Sequence, residues 1–505
     1  MNKINHHRSH KASCLAVLGT GSDVGKSVVT TAICRILAQK GIKVCPFKAQ
    51  NMSNNSGVTP EGLEMGRAQI VQAEAAKIAP HVDMNPVLLK PTGETGSQVV
   101  VLGKAVGNQT AKDYYQKKKE LFSIASRSLD RLRSQYDAVI MEGAGSCAEV
   151  NLMEHDMVNL RMAEYADAPV LLVADIHKGG VFAQIVGTLE CLDQRRRDQI
   201  AGFMINRFRG DIGLFHEGEQ WIEKKTGKKA LGVLPWFSHF RIEAEDSVVI
   251  EQPASVRSEN IKSPAVAIIR LPHISNFTDF DPLYAAEGLS VYFLEKVQKL
   301  ESFSAVIIPG SKSTRDDLRW MTETGWSRGL TRFYENGGHV LGICGGYQML
   351  GQMVHDPDGL EGTSGSTRGL GLLPVETRLM APKTTTLAKF SWDNVEATGY
   401  EIHMGRTECF GGKPFFNIHE LNGTFHKAWD GCISADGRVM GTYMHGLFDS
   451  PEILSRWLLK VGIENVEVCK THGIVARDKQ YDLLAQHFAK YIDIQNILAF
   501  LNISL

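Results

Sequence analysis

Three stretches of the chain combine residue types at spacings that suit chemistry. In the first, "GTGSDVGKS", Gly19, Gly21 and Gly25 precede Lys26 and Ser27, between an apolar run and an amphipathic one. Glycines let backbone N–H groups converge on phosphate oxygens, and the start of the following helix adds positive potential. Lys26 can then reach terminal phosphates, and the Ser27 hydroxyl can ligate Mg2+. The spacing departs from G-x-x-x-x-G-K-[ST], because Gly19 lies one residue too far from Gly25 and Thr20 takes the expected glycine's place. The strand–loop–helix setting nevertheless points to nucleotide binding rather than a plain glycine turn. Asp23, inside the loop, reads equally as a metal ligand or as a turn-stabilising side chain.

The second stretch supplies acidic help. "YDAVIMEGAGS" ends an apolar run on Glu142, and parallel sheets place their ligands at the carboxyl ends of strands. Another apolar run ends in "INRF", where Asn206 offers a donor and an acceptor suited either to an adenine edge or to capping a turn. "FKAQNMSNNS" follows a further strand-like run and crowds Lys48, Gln50, Asn51 and Ser53 together. It reads as the wall of a phosphate or carboxylate site, or as a polar crossover loop.

The third stretch is "LGICGGYQMLG". Cys344 sits between an apolar strand and an amphipathic helix, bracketed by Gly342 and Gly346, a G-x-C-x-G form of the nucleophile elbow. The helix start favours a thiolate. The Gly345 amide can give half of an oxyanion hole, and the Gly310 and Ser311 amides of "IIPGSKS" the other half. A thiolate needs an imidazole partner, and both His403 in "GYEIHMGRT" and His445 in "GTYMHGLF" qualify.

The elements that must position these groups follow a regular pattern. Helical spacing at Val29, Ala32, Ile33, Ile36 and Leu37 follows the first apolar run, with Gly41 as a stop. Continuous apolar runs such as "YDAVIM", "APVLLVAD" and "IAGFMIN" read as parallel strands buried on both faces. The fold class is therefore α/β, a doubly wound parallel sheet followed by a second α/β series from "AVAIIRLP" onward. The expected division is a tail over 1–13, a nucleotide domain over 14–246, a linker over 247–263, a second domain over 264–450 and a helical extension over 451–505. With 505 residues, a net charge of -1 and 43% hydrophobic residues, the chain presents no global electrostatic case for nucleic acid or a membrane surface. No apolar run approaches a membrane span, the cysteines lack metal or disulfide spacing, and a reducing cytoplasm fits best.

Here a resemblance becomes specific. The long loop, "MEGAGS" and "MINRF" resemble the dethiobiotin synthetase-type amidoligases, in which ATP phosphorylates a carboxylate that a nitrogen nucleophile then attacks. The resemblance implies that Lys26, Ser27 and Glu142 hold Mg·ATP, that Asn206 reads adenine, and that Lys48 stabilises the transferring phosphoryl group. The elbow together with "YMHG" resembles the class I glutamine amidotransferases, which makes His445 the base of a Cys–His pair. Leu447 stands where the commonest form of that family has glutamate, so the third member is unassigned. Across nearly the whole chain, "PFKAQNMSNNS", "GRAQIVQAEAA", "MNPVLLKP", "IIPGSKST" and "GICGGYQMLG" are similar to the cobyric acid synthase family. That implies glutamine and ATP as co-substrates, a corrinoid acid as acceptor and cobalt only within the substrate. Gln50, Asn51 and Ser53 are then expected contacts to nucleotide or carboxylate; oligomeric state is left open. The neighbouring alternatives are a cobyrinic acid a,c-diamide synthase and, from another class, a partitioning-type ATPase.

Overall fold

The computed structural model describes residues 11–92, 96–237, 261–470 and 473–504. Most of the expected tail and of the 247–263 linker lies outside them. The strand Ser13–Gly19, buried along nearly all its length, is flanked in parallel by Ala138–Glu142 and Val170–Asp175. Val44–Phe47 extends the sheet on one side, and Ile200–Phe208 with Lys229–Pro235 on the other; all six strands are parallel. The inner strands are short apolar runs buried on both faces, which is why their sequence shows no in–out alternation, whereas the edge strand Lys229–Pro235 is only partly buried. The helix Lys26–Gln39 buries Val29, Ile33, Ile36 and Leu37 on this sheet, and Gly41 ends it at φ +80°.

The second domain repeats the plan. Its sheet runs Ser290–Leu294, Ala265–Ile269, Ala305–Ile308, His339–Ile343 and Val439–Thr442 in parallel, closed by an antiparallel Cys432–Ile433. Between 384 and 430 the chain adds an antiparallel sheet built from Thr384–Trp392, Val395–His403, Phe416–Leu421 and Thr424–Asp430. The sequence reading missed this sheet, because its strands are half-exposed and carry charges that blur the apolar runs.

Two segments differ from their simplest sequence reading. Gln50–Met52, inside the polar stretch, is a short strand pairing in parallel with Val87–Pro91, at the edge of a separate four-stranded sheet. The last helices, Gly473–Ala489 and Ile494–Phe500, return to the first domain. Leu484, Phe488, Ile497 and Leu501 share a core with Val29, Ile33 and Leu37. Arg35, fully buried, pairs with Asp478 at 2.7 Å and Asp482 at 2.8 Å. Among the described residues no helix is long and apolar enough to cross a membrane.

Candidate active sites

The phosphate loop leaves the carboxyl end of Ser13–Gly19, as a doubly wound sheet requires. Gly25 has φ +96°, and a Cβ there would strike the Asn206 amide at 2.1 Å. Only glycine fits both constraints. Lys26 is buried and donates to Gly21 O at 2.8 Å and Gly145 O at 2.9 Å, so its ammonium already lies in the concavity of the loop. Ser27 Oγ donates to Glu142 Oε1 at 2.8 Å, and Lys48 Nζ donates to the same oxygen at 2.9 Å. Gln72 Nε2 donates to the other carboxylate oxygen. Glu142 therefore gathers Ser27, Lys48 and Gln72 beneath the loop; of these, Gln72 was not found from the sequence. Its signal was available: Gln69 and Gln72 sit three apart on the helix Arg67–Ala75, and both are buried.

Asn206 Nδ2 donates to Val24 O at 2.9 Å, bracing the loop from below, while its Oδ1 accepts from Arg207 N of its own strand at 2.9 Å. Thr20 N donates to Val173 O at 3.0 Å, tying the loop to the neighbouring strand.

A cavity of about 960 Å³ opens over the loop. Asp23, Gly25, Lys26, Ser27, Lys48, Gln50 and Asn51 line it, whereas Ser53 lies behind the wall with its Oγ accepting from Asn55 N at 3.0 Å. Asn51 Nδ2 donates to Gln69 Oε1 at 3.0 Å, and Tyr114 OH donates to Gln50 Oε1. Lys118, Arg161, Lys178, Arg196 and Arg207 complete a predominantly basic wall with Trp236. None of these was singled out in the sequence. Lys178 and Arg207 could have been, since Lys178 follows the carboxyl end of one strand of the parallel sheet and Arg207 lies at that of another. A wall of this charge suits ATP together with a polycarboxylate.

The second site is built on the turn after His339–Ile343. Cys344 has φ +52°, the strained conformation expected of an elbow nucleophile. The strain is enforced by close packing: a Cβ on Gly346 would lie 2.0 Å from Ile308 O, and one on Gly342 2.6 Å from Gly346 O. Gly345 has the same need, its Cβ position being 2.8 Å from Ser311 N, which sets that amide beside the elbow. Gly310–Ser311 is held there by antiparallel pairing with Ile274–Ser275.

Of the two candidate imidazoles, the structure brings only His445 into this network. His403 is partly buried and stacks on Tyr443 with ring centroids 3.7 Å apart, and loss of solvation pushes it down to about 3. His445 is fully buried beside Gly310, whose Cβ would approach Cε1 to 3.3 Å. Its Nδ1 meets Asp279 Oδ2 at 2.6 Å, and Gly446 N donates to Asp279 Oδ1 at 3.0 Å. Burial opposes a charge on this ring. The Asp279 carboxylate and the Cys344 thiol outweigh it and carry the imidazole up to about 10. Tyr400 stacks on the ring at 5.2 Å. Asp279 occupies the place left open by Leu447. It comes from the short turn Phe277–Phe280, far from the histidine in sequence, and no spacing rule could have linked them.

The two domains also meet at a buried polar seam. Glu64 accepts from Lys90 Nζ at 2.8 Å, Lys383 Nζ at 2.7 Å and Ser56 Oγ at 2.8 Å. Burial works against the Glu64 charge, yet the two ammonium groups hold its carboxyl well below the usual range. Burial pushes Lys383 down to about 7. Lys383 belongs to the second domain, so this carboxylate and its partners cross the boundary.

Comparison with known proteins agrees with this division. Residues 15–249 match the CobQ/CobB/MinD/ParA nucleotide binding domain, and 265–453 match the CobB/CobQ-like glutamine amidotransferase domain. The chain is 47% identical over 487 residues to a protein of Chlorobium phaeobacteroides (strain DSM 266) named cobyric acid synthase, covering 96% of each chain. A protein of the same name from Chlorobaculum tepidum is 46% identical over 494 residues, covering 97% of this chain and 98% of its own. Another, from C. phaeobacteroides strain BS1, is 49% identical over 490 residues, covering 96% and 98%.

Proposed function

Because the chain belongs to the cobyric acid synthase family of glutamine-dependent amide ligases, we propose that it amidates several peripheral carboxylates of adenosylcobyrinic acid a,c-diamide. The product is adenosylcobyric acid. One observation carries this reading: Ser27, Lys48 and Glu142 meet under a phosphate loop, while Cys344, His445 and Asp279 meet in the adjoining domain.

At the second site the Cys344 thiolate attacks the side-chain amide carbon of glutamine. The carbon–nitrogen bond breaks, and the His445 imidazolium gives its proton to the leaving ammonia. Asp279 keeps that proton donor charged and aimed. Water then cleaves the γ-glutamyl thioester, with His445 as base, and glutamate leaves. The amides at Gly345 and the Gly310–Ser311 strand stand where the oxyanion develops.

At the first site an acceptor carboxylate attacks the γ-phosphorus of ATP, and ADP departs. Ammonia displaces phosphate from the acyl phosphate to leave the amide. Lys26 and Lys48 bring positive charge to the transferring group. The pairing of Ser27 Oγ with Glu142 Oε1 at 2.8 Å puts two oxygen donors at one point, which fits Mg2+. Magnesium bound there would neutralise phosphate charge. The basic cavity wall supports a polyanionic acceptor over a neutral one, and the match across "FKAQNMSNNS" favours this substrate over that of an a,c-diamide synthase. A partitioning-type ATPase would leave Cys344 and its relay without a task.

The direct test is incubation with candidate corrinoid acids, ATP and glutamine, with products followed by mass. Formation of the multiply amidated product with ADP and phosphate is expected; AMP and pyrophosphate would rule out the acyl phosphate. Cys344→Ala is expected to abolish glutamine-supported synthesis and to retain synthesis from added ammonia. Loss of both in a folded variant counts against separate sites.

A further inference from the structure

At the domain boundary two buried asparagines each accept a hydrogen bond from a backbone N–H of the opposite domain. Asn55 Oδ1, from the nucleotide-binding domain, accepts from Phe277 N at 3.1 Å. Asn276 Oδ1, from the glutaminase domain, accepts from Ser56 N at 3.1 Å. Asn55 is 2% exposed and Asn276 3%. Phe277 is the first residue of the turn Phe277–Phe280, the one that presents Asp279 to His445. The first N–H groups of such a turn have no partner within it and need a cap. Asn276 is the capping residue by position, yet its side chain makes no cap bond here and is spent on the other domain. The cap arrives from across the boundary, from Asn55.

On the other side of the clamp, Asn55 N donates to Ser53 Oγ at 3.0 Å, and Ser53 N donates to Leu89 O at 3.0 Å. Those residues continue the strand Gln50–Met52, which lines the large cavity. A path of hydrogen bonds and short covalent links therefore runs from the cavity wall through Ser53 and Asn55 to Phe277, and two residues further along that turn Asp279 bonds His445.

We propose that Asn55 of the nucleotide-binding domain is a positioning residue for the glutaminase base, capping in trans the turn that holds Asp279 against His445. It follows that the glutaminase is fully assembled only while the cavity-lining strand is seated on it. The inference rests on the Cys344–His445 glutaminase reading above.

The test uses the full chain and compares glutaminase pH profiles with synthesis from glutamine and from ammonia. Asn55→Ala removes the cap, and glutaminase kcat/KM is expected to fall by about tenfold, as for one buried hydrogen bond. The alkaline limb should move below the value near 10 set by Asp279, with ammonia-supported synthesis unchanged. Asn55→Asp keeps the acceptor oxygen and should restore both rate and profile. Asn276→Gly keeps the left-handed backbone at φ +50° and removes only the bond to Ser56; it should shift the limb in the same direction. An unmoved alkaline limb in both Asn55→Ala and Asn276→Gly overturns the proposal. So does an equal loss of ammonia-supported synthesis. Retention of glutamine-supported synthesis by Cys344→Ala would instead overturn the underlying reading, an outcome the Asn55 variants cannot mimic.

Discussion

The two reactive turns of this protein are built alike and completed differently. Each follows the carboxyl end of a parallel strand, leads into a helix and depends on glycines that admit no side chain. On the proposed reading, the phosphate turn works mainly through its own backbone and through Lys26 and Ser27, all within one contiguous string. The Cys344 turn supplies only the proposed nucleophile and part of an oxyanion pocket. The proposed base comes from beyond the end of the next strand of the sheet, the carboxylate beside it from the Phe277–Phe280 turn, and the cap of that turn from the other domain. Chemistry done by peptide groups can be written in a short motif. Chemistry done by a relay of side chains has to be assembled.

The contrast can be broken most forcefully at Lys26. Lys26→Ala removes a charge that no other loop residue replaces, so synthesis should fall by about 10³-fold or more from either nitrogen source. Glutamine hydrolysis should survive in that variant, and parallel assays of glutamate and amide product would show it. If hydrolysis fell equally, the two turns would not be separable units.

A smaller effect is expected at Asp279. Asp279→Asn keeps the shape and deletes the charge, and glutaminase kcat/KM should drop by about 10²-fold. The sign of the pH change follows from the raised imidazole. The Asp279 carboxylate and the Cys344 thiol beside His445 carry its imidazole up to about 10. Wild-type activity should therefore fall as pH rises through that value, and the limb should move to lower pH in Asp279→Asn. A profile that stays put would remove Asp279 from the relay.

The least effect on chemistry is expected from Phe488→Ala, at the contact between the C-terminal helix and the helix that follows the phosphate loop. Truncating this fully buried ring should cost about 3–5 kcal/mol of first-domain stability. Denaturant unfolding followed separately for ATP protection and for glutaminase activity should show the loss in the former. Equal loss in both would mean that the phosphate turn and the Cys344 turn do not rest on distinct cores.

How much was legible depended on how local the determinant was. Lys26, Ser27, Glu142 and Cys344 could be named because glycine brackets and apolar runs lie beside them in the chain. Gln72 was legible in principle from its spacing with Gln69. Asn206 was set at a strand end, but the direction of its amide, up toward Val24 of the loop, depends on how closely the loop packs above it. The strand formed by Gln50–Met52 was hidden because its partner, Val87–Pro91, is remote and its own residues are polar.

The amino-acid sequence by itself determined two parallel α/β sheets, the glycine-dependent turns at their carboxyl edges and the nucleophile and phosphate ligands on those turns. These follow from local rules, namely buried runs, helical periodicity and backbone freedom at glycine. Only the tertiary structure decided that His445 rather than His403 faces Cys344, that Asp279 orients it, that Asn55 caps the turn carrying Asp279, and that the last helices cover the first domain. Each of these is a contact between residues far apart in the chain. Its energy is gained only when both sides are buried together, and neither side's local sequence records the other.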